Sequence, residues 1–304
     1  MTKKRKLCYN LGMKKVNSLF LALGACLALV AAEGEKIPAV YTVPHELDVL
    51  VKAGHIQGAT CSEQGIYLAH QLGIEKIGWD GKLITRVEAP AHLGDICCAN
   101  GKIYGAFAIR GRKTKDELPG LVRVWNEELE QVAEKRFPVN LDGCCVLGDT
   151  LYVGEDPYGH KPHPGCRIRR LGLDLSEKDV VDVDIGYSIH YGVQTMATDG
   201  QELFLGNYGA RADAGNPKRY NCTRLTADLK PVQNLSFSCS EGFGRVPKSI
   251  AKRDTPVFFT VKAMGGNMQG WRKDPVNNPP RIRLDFYEYK NGVFTDITDN
   301  RKRK

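Results

Sequence analysis

A chain of 304 residues with 43 basic and 35 acidic side chains has a formal charge of +8, but the excess is confined to its ends and argues against a nucleic-acid surface. Six basic residues precede Ala32 and four close the chain as Arg301-Lys302-Arg303-Lys304, which leaves the body between them near neutral. A phosphate-binding loop, a Gly-x-Ser-x-Gly elbow and a His-Glu-x-x-His pair are all missing from the sequence, so no nucleotide cofactor is expected.

The basic residues from Lys3 to Lys15 lead into an apolar run over 16–32 that ends Val30-Ala31-Ala32, which reads as an export signal cleaved after Ala32. Met13-Lys14-Lys15 would itself open such a segment. The expected organisation is a signal peptide over 1–32, a single domain over 33–300 and a basic tail over 301–304. The mature chain is then secreted or periplasmic, with no integral membrane segment after cleavage. Leu23-Gly24-Ala25-Cys26 offers an alternative, a lipoprotein anchored at Cys26.

Beyond residue 50 a short phrase recurs: His55-Ile-Gln-Gly, His92-Leu-Gly-Asp, Asn140-Leu-Asp-Gly, His190-Tyr-Gly-Val and Ser240-Glu-Gly-Phe, spaced by 37, 48, 50 and 50 residues. After each comes a turn and an apolar couplet: Ile66-Tyr67, Ile103-Tyr104, Leu151-Tyr152, Leu203-Phe204 and Phe258-Phe259. A third run follows in each unit, over 74–79, 121–125, 168–173, 222–226 and 284–289, and a fourth, such as 83–87 or 293–297, completes it. Alternation of period two punctuated by Asp80-Gly81 and Asn291-Gly292 is a hairpin signal. Units of about 40 to 50 residues with four short strands predict an all-β, five-bladed β-propeller, with six blades as the alternative. Segment 39–51 precedes the first full unit and could supply an edge strand that closes the ring.

The stretches Gly65-Ile-Tyr-Leu-Ala-His-Gln-Leu-Gly-Ile-Glu-Lys-Ile-Gly-Trp-Asp-Gly-Lys-Leu-Ile84 and Asp95-Ile-Cys-Cys-Ala-Asn-Gly-Lys-Ile-Tyr-Gly-Ala-Phe-Ala-Ile109 resemble secreted bacterial propellers of the NHL and YVTN repeat type. The resemblance implies a fold and no particular activity, because proteins of this kind include lactonases, lyases, cyclotransferases and binding modules.

The phrase and the loops between second and third strands should share one face, and four of those loops are long: 109–120, 155–166, 207–221 and 262–280. Such loops on a rigid scaffold commonly form a binding surface. A metal could be held there by His55, His92 and His190, with Asn140, Gln57 or Asp142 completing the shell; imidazoles suit zinc, manganese, iron or nickel, while a shell dominated by Asp142, Asn140 and Gln57 suits calcium. Without a metal, the same histidines would hydrogen-bond neighbouring blades. His92, His190, Asp142 and Tyr208 are the candidate catalytic groups, and Arg110, Glu155, Asn207, Arg211, Lys262 and Trp271 the candidate substrate contacts. These point to a lyase or hydrolase, metal-dependent if the metal is held, acting on a carbohydrate or another polar or anionic small molecule or oligosaccharide; a non-catalytic ligand-binding or protein-interaction module is the alternative. Asp95 and Asp142 have a second reading, as caps on backbone amides at the channel opening. Of the cysteines, five follow the phrase where small buried residues are wanted, and Cys222 with Cys239 forms the best disulfide candidate.

Overall fold

The computed structural model describes residues 40–42, 56–70, 73–89, 92–109, 118–158, 161–209, 211–264 and 281–298. The chain divides into two units, Met1–Glu35 and Lys36–Lys304, and every described residue belongs to the second. The signal, Met13, Cys26 and the basic tail therefore lie outside the described residues, as do His55, Arg110 and Trp271. Among the described residues no helix is long and apolar enough to cross a membrane.

Among the described residues, twenty strands and one short helix, Lys248–Ala251, make up the regular structure, with a 3-10 turn at Ala212–Ala214. The first full unit comprises β2 (Ile56–Ser62), β3 (Gly65–His70), β4 (Gly73–Ile77) and β5 (Leu83–Glu88), and the second β6 (Leu93–Ala99), β7 (Lys102–Ala108), β8 (Gly120–Asn126) and β9 (Gln131–Phe137). Each is a four-stranded antiparallel meander whose third and fourth strands lie within a residue or two of the sequence expectation.

The next seven strands form one sheet, from β10 (Asn140–Leu147), β11 (Thr150–Asp156) and β12 (His163–Gly172) through β13 to β14 (Glu202–Gly209), β15 (Cys222–Thr226) and β16 (Pro231–Leu235). Strand β13, Glu177–Thr198, is 22 residues long. Its first part pairs with β12 and its last part with β14, and Ile189 pairs with both His163 and Gly209. Between the two parts Tyr191 and Gly192 take left-handed φ values of 62° and 73°, so the chain turns there without leaving the hydrogen-bonded ladder. One strand thus ends one unit and begins the next. The described strands form four hydrogen-bonded sheets, and dividing this one at Tyr191–Gly192 gives two four-stranded halves.

The last sheet holds β17 (Phe243–Val246), β18 (Val257–Met264), β19 (Arg281–Lys290) and β20 (Val293–Asp296), together with β1 (Val40–Thr42) from the start of the chain. Val40, Tyr41 and Thr42 pair with Arg283, Ile282 and Arg281, while β20 pairs with the other end of the same strand. The edge strand expected within 39–51 is therefore present.

The apolar couplets explain how the sheets pack. Adjacent residues of a strand point to opposite faces, so each couplet places one side chain in each of two cores. Ile66 shares a core with Phe259, Tyr67 with Ile103, Tyr104 with Leu151, Tyr152 with Leu203, and Phe204 with Phe258. The cores form a closed circuit of five. Phe204 and Phe258 meet edge to face with ring centroids 5.2 Å apart, within a cluster that includes Phe243, Tyr289 and Phe294.

All eight cysteines of the described residues are free thiols. Cys222, on β15, and Cys239, in the segment between β16 and β17, are in hydrogen-bond contact; the expected disulfide is represented by a thiol pair.

Candidate functional site

The repeated phrase marks where each innermost strand opens, and the backbone there is irregular. The register against the second strand shifts between Ile56 and Gly58, between Leu93 and Ile96, between Leu141 and Cys144, and twice between His190 and Thr195. Bulges of this kind re-aim side chains at sheet ends. Here they swing an acid or amide from one unit against a glycine of the unit before it. A Cβ placed on Gly58 would lie 2.5 Å from Asp95 Oδ1, and one on Gly94 would lie 2.1 Å from Asp142 Oδ1. Only glycine permits so close an approach.

Asp95 is completely buried. Its Oδ2 accepts the N–H of Met196 at 2.8 Å and that of Cys144 at 3.3 Å, so one carboxyl group ties together three units. Burial pushes its pKa well above the carboxylate range; the N–H donors of Met196, Cys144 and Ile96 oppose the rise, and Asp142 adds to it. The amide-capping reading describes this residue.

Asp142, 9% exposed, lies nearer the surface. Its Oδ2 accepts Gln194 Nε2 at 2.8 Å, and the same amide donates at 2.8 Å to the carbonyl of Tyr191. Tyr208, directly across from His190 on β14, comes next. Its ring meets that of Tyr191 edge-on at 5.9 Å. Burial lifts the Tyr208 hydroxyl to about 12, with the carboxylates of Glu241 and Asp142 adding to the rise and a hydrogen bond with Ser240 opposing it. Tyr208 therefore holds its proton at neutral pH, within electrostatic reach of two acids supplied by different units.

Tyr208 also borders a cleft of about 730 Å³ lined by Asn207, Arg211, Arg219, Asn221 and Ser240. Asn207 is buried and donates through Nδ2 to Tyr187 Oη at 3.0 Å; Tyr187 Oη and Thr223 Oγ1 are 2.8 Å apart, and Thr223 donates to Asn234 at 3.0 Å. This buried chain holds the cleft floor rigid. A smaller cavity, about 280 Å³, lies along the later halves of the inner strands and is lined by Cys61, Cys97, Cys98 and Cys145 among apolar neighbours.

Solved structures with a similar chain path come from several proteins. Glutaminyl cyclase of Myxococcus xanthus matches with a TM-score of 0.50 over 84% of this chain and 100% of that one, at 9% identity. This is a propeller-type fold. A GH43 β-xylosidase/α-arabinofuranosidase from a compost microbial metagenome, in complex with xylotriose and calcium-free, matches at 0.49 with 12% identity, over 87% and 97% of the two chains. A GH43_1 enzyme of Xanthomonas citri in complex with xylose matches at 0.47 with 11% identity, over 79% and 90%. No protein-family model matches the sequence, and no curated protein matches it. The likeness to NHL and YVTN repeats accordingly rests on propeller architecture alone.

Within the propeller, the residues expected at the site separate into groups. Tyr208, Asn207 and Arg211 line one cleft, and the charge of Asp142 reaches Tyr208. Glu155 does not join them: it is buried and held by Arg169, whose Nε and Nη2 lie 2.7 and 2.6 Å from Oε1. Arg169 also pairs with Glu177 at 2.5 Å and covers the ring of Phe137, an internal brace of its sheet. Lys262 is paired with Asp285 at 3.1 Å.

The expected metal centre is not supported. Among the described residues no three His, Cys, Asp or Glu side chains are grouped to hold a metal ion. The reason lies in the phrase. The first position of the phrase pairs with the second strand of its own unit, Asn140 with Asp156 and His190 with Tyr208, and the close contacts between units are made instead by Gly58 with Asp95 and Gly94 with Asp142. His92, at φ 47°, gives its carbonyl to the N–H of Ala108 at 3.1 Å, and Gln57 is buried. The imidazole near His190 is that of His163, which stacks on Tyr158 at 4.4 Å and whose pKa is lowered by burial first and by His190 last.

Sequence reasoning passed over Gln194 and Arg219. The double register shift in β13 moves the amide to the residue after the phrase, where the four-residue repeat no longer points to it. Glu241 carried a signal, since it occupies the phrase of the fifth unit.

Proposed function

We propose that this protein is an exported propeller hydrolase acting on a carbohydrate or similar polyhydroxylated substrate at the mouth of its channel. The observation that carries the reading is Tyr208, a half-buried side chain that borders the cleft and feels the charge of both Asp142 and Glu241. Glycoside hydrolysis needs two carboxyl groups about the scissile bond, one to deliver a proton to the leaving oxygen and one to activate water or attack directly. Asp142, fixed by Gln194, and the exposed Glu241 fill those roles, and Tyr208 donates a hydrogen bond to a substrate oxygen. The high pKa of Tyr208 argues against its serving as the base of a β-elimination, which makes a lyase the weaker alternative.

The test is hydrolysis of a panel of nitrophenyl glycosides and plant and bacterial oligosaccharides by the purified mature protein. Asp142→Asn and Glu241→Gln should each lower kcat/KM by about a hundredfold or more while leaving the unfolding transition in place. Activity unaltered in both variants would refute the assignment, and an unsaturated product absorbing near the ultraviolet would replace hydrolysis with elimination. Export is tested by the mass of the secreted protein, which should begin at Glu33.

A further inference from the structure

Two features of the cleft beside Tyr208 call for a ligand of mixed character. Asn207 is 1% exposed, and its amide spends one polar atom on Tyr187 while Oδ1 meets no partner. Asn221 Oδ1, on the same wall, is likewise buried without a partner. Turning the Asn207 amide about exchanges the two atoms and still leaves one without a partner. Buried amide groups of this sort are matched in most proteins, and hydroxyl groups, which both donate and accept, are suited to either orientation.

The rim is cationic. Arg219 is exposed and has no ion-pair partner among the described residues. Its backbone is left-handed, at φ 53°, a region uncommon for a residue with a long side chain. The turn that enforces this is well tied: Arg219 N–H donates to Asn216 O at 3.0 Å, and the buried Asn216 side chain bonds both N and O of Tyr220, at 2.9 and 2.7 Å. Arg211 stands on the same rim and is engaged only loosely, 3.5 Å from Asp213 with both groups exposed. Guanidinium groups favour carboxylates through paired N–H donors.

We infer that the cleft formed by Asn207, Asn221, Arg211 and Arg219 is a subsite for an acidic sugar, with the arginines on its carboxylate and the asparagine amides on its hydroxyl groups. This assignment rests on the channel-mouth reading for the place of the cleft beside the reacting groups, and its binding test does not depend on turnover. Tyr220, which lines the cleft and has Lys218 6.0 Å above its ring, would supply a face for the sugar ring.

The experiment measures binding by calorimetry to the Asp142→Asn variant of the full mature protein, using oligomers of galacturonate, glucuronate and mannuronate, each beside its methyl ester. The ester keeps the hydroxyl groups and removes the charge. At least one acid should bind tenfold or more tightly than its ester, and the preference should shrink below about threefold in Arg219→Gln combined with Arg211→Gln, both exposed positions whose exchange spares the fold. Asn221→Ala, which removes an amide without adding charge, should weaken acid and ester together. Equal affinity for acid and ester, binding by none of the probes, or a preference that survives removal of both arginines would overturn the subsite. Uronate binding without hydrolysis would refute the catalytic reading alone, whereas hydrolysis of neutral oligosaccharides with no preference for acids would refute the subsite alone.

Discussion

Glu75 offers a quantitative test of the packing. It lies on β4 with no exposed surface, and neither carboxyl oxygen has a hydrogen-bond partner. Burial raises its pKa from 4.5 to about 8, even with Arg86 pulling in the opposite direction. The folded protein therefore keeps a proton that the unfolded chain releases at its ordinary value. Stability from this group is fully present below pH 4.5 and is lost as the pH climbs through 8. A pH unit in that interval is worth about 1.4 kcal/mol, so the wild type should lose roughly 3 to 4 kcal/mol between pH 5 and 8 relative to a protein that cannot ionise there. Glu75→Gln is that protein, since the amide keeps the shape and carries no charge. The assay is guanidinium denaturation followed by tryptophan fluorescence at pH 5, 6.5 and 8. Asp95 also has a raised pKa, but it does so in both proteins, and the difference between them isolates Glu75. A wild-type-minus-variant difference that stays constant across the three pH values would refute the reasoning.

Three further outcomes are expected. His70 is buried and its pKa is lowered to about 4 by that burial, so its contribution is present above pH 6.5 and is lost as the pH falls through 4; His70→Asn should remove about 3 kcal/mol of acid sensitivity, measured by the same denaturation between pH 4 and 7. Asp95→Ala leaves the N–H groups of Met196 and Cys144 without their acceptor and should cost about 2 to 4 kcal/mol, whereas Asp95→Asn, which keeps an accepting oxygen, should cost clearly less; equal losses would assign the effect to packing. Burial raises the pKa of the Cys61, Cys97, Cys144, Cys145 and Cys239 thiols, and Cys98 reaches about 12, so the native protein should react with maleimide at least a hundredfold more slowly than the unfolded one, as read by mass spectrometry.

The couplets and turns were legible because both act locally. Ile66-Tyr67 and its counterparts show a period of two, and one residue of each pair fills each of two cores, so a strand meander is visible in the letters themselves. The edge strand near Val40 was legible for a different reason: a repeat with one piece left over at its beginning needs a partner for that piece. The length of β13 was not, since pairing on one side over its first part and on the other over its last depends on the left-handed turn at Tyr191 and Gly192, which carries no separate mark in the sequence. Among the described residues the histidines of the phrase form no metal-holding group, and the contacts between units fall to other positions. The residues making them are Asp95 and Asp142, each opposite a glycine. That pairing was present in the phrases as Gln-Gly, Gly-Asp and Asp-Gly, but it connects one unit with the next and is invisible when the units are aligned upon each other.

The outer edge of β19 is divided between two occupants, Val40–Thr42 at one end and Val293–Asp296 at the other. Val40–Thr42 and its berth on β19 lie at opposite ends of the described sequence, so this strand has no partner to pair with until residues 281–283 have been made. Rejoining the ends so that Val40–Thr42 follows β20 would turn this distant rendezvous into a neighbouring one, and the rearranged chain should refold faster than the natural order allows.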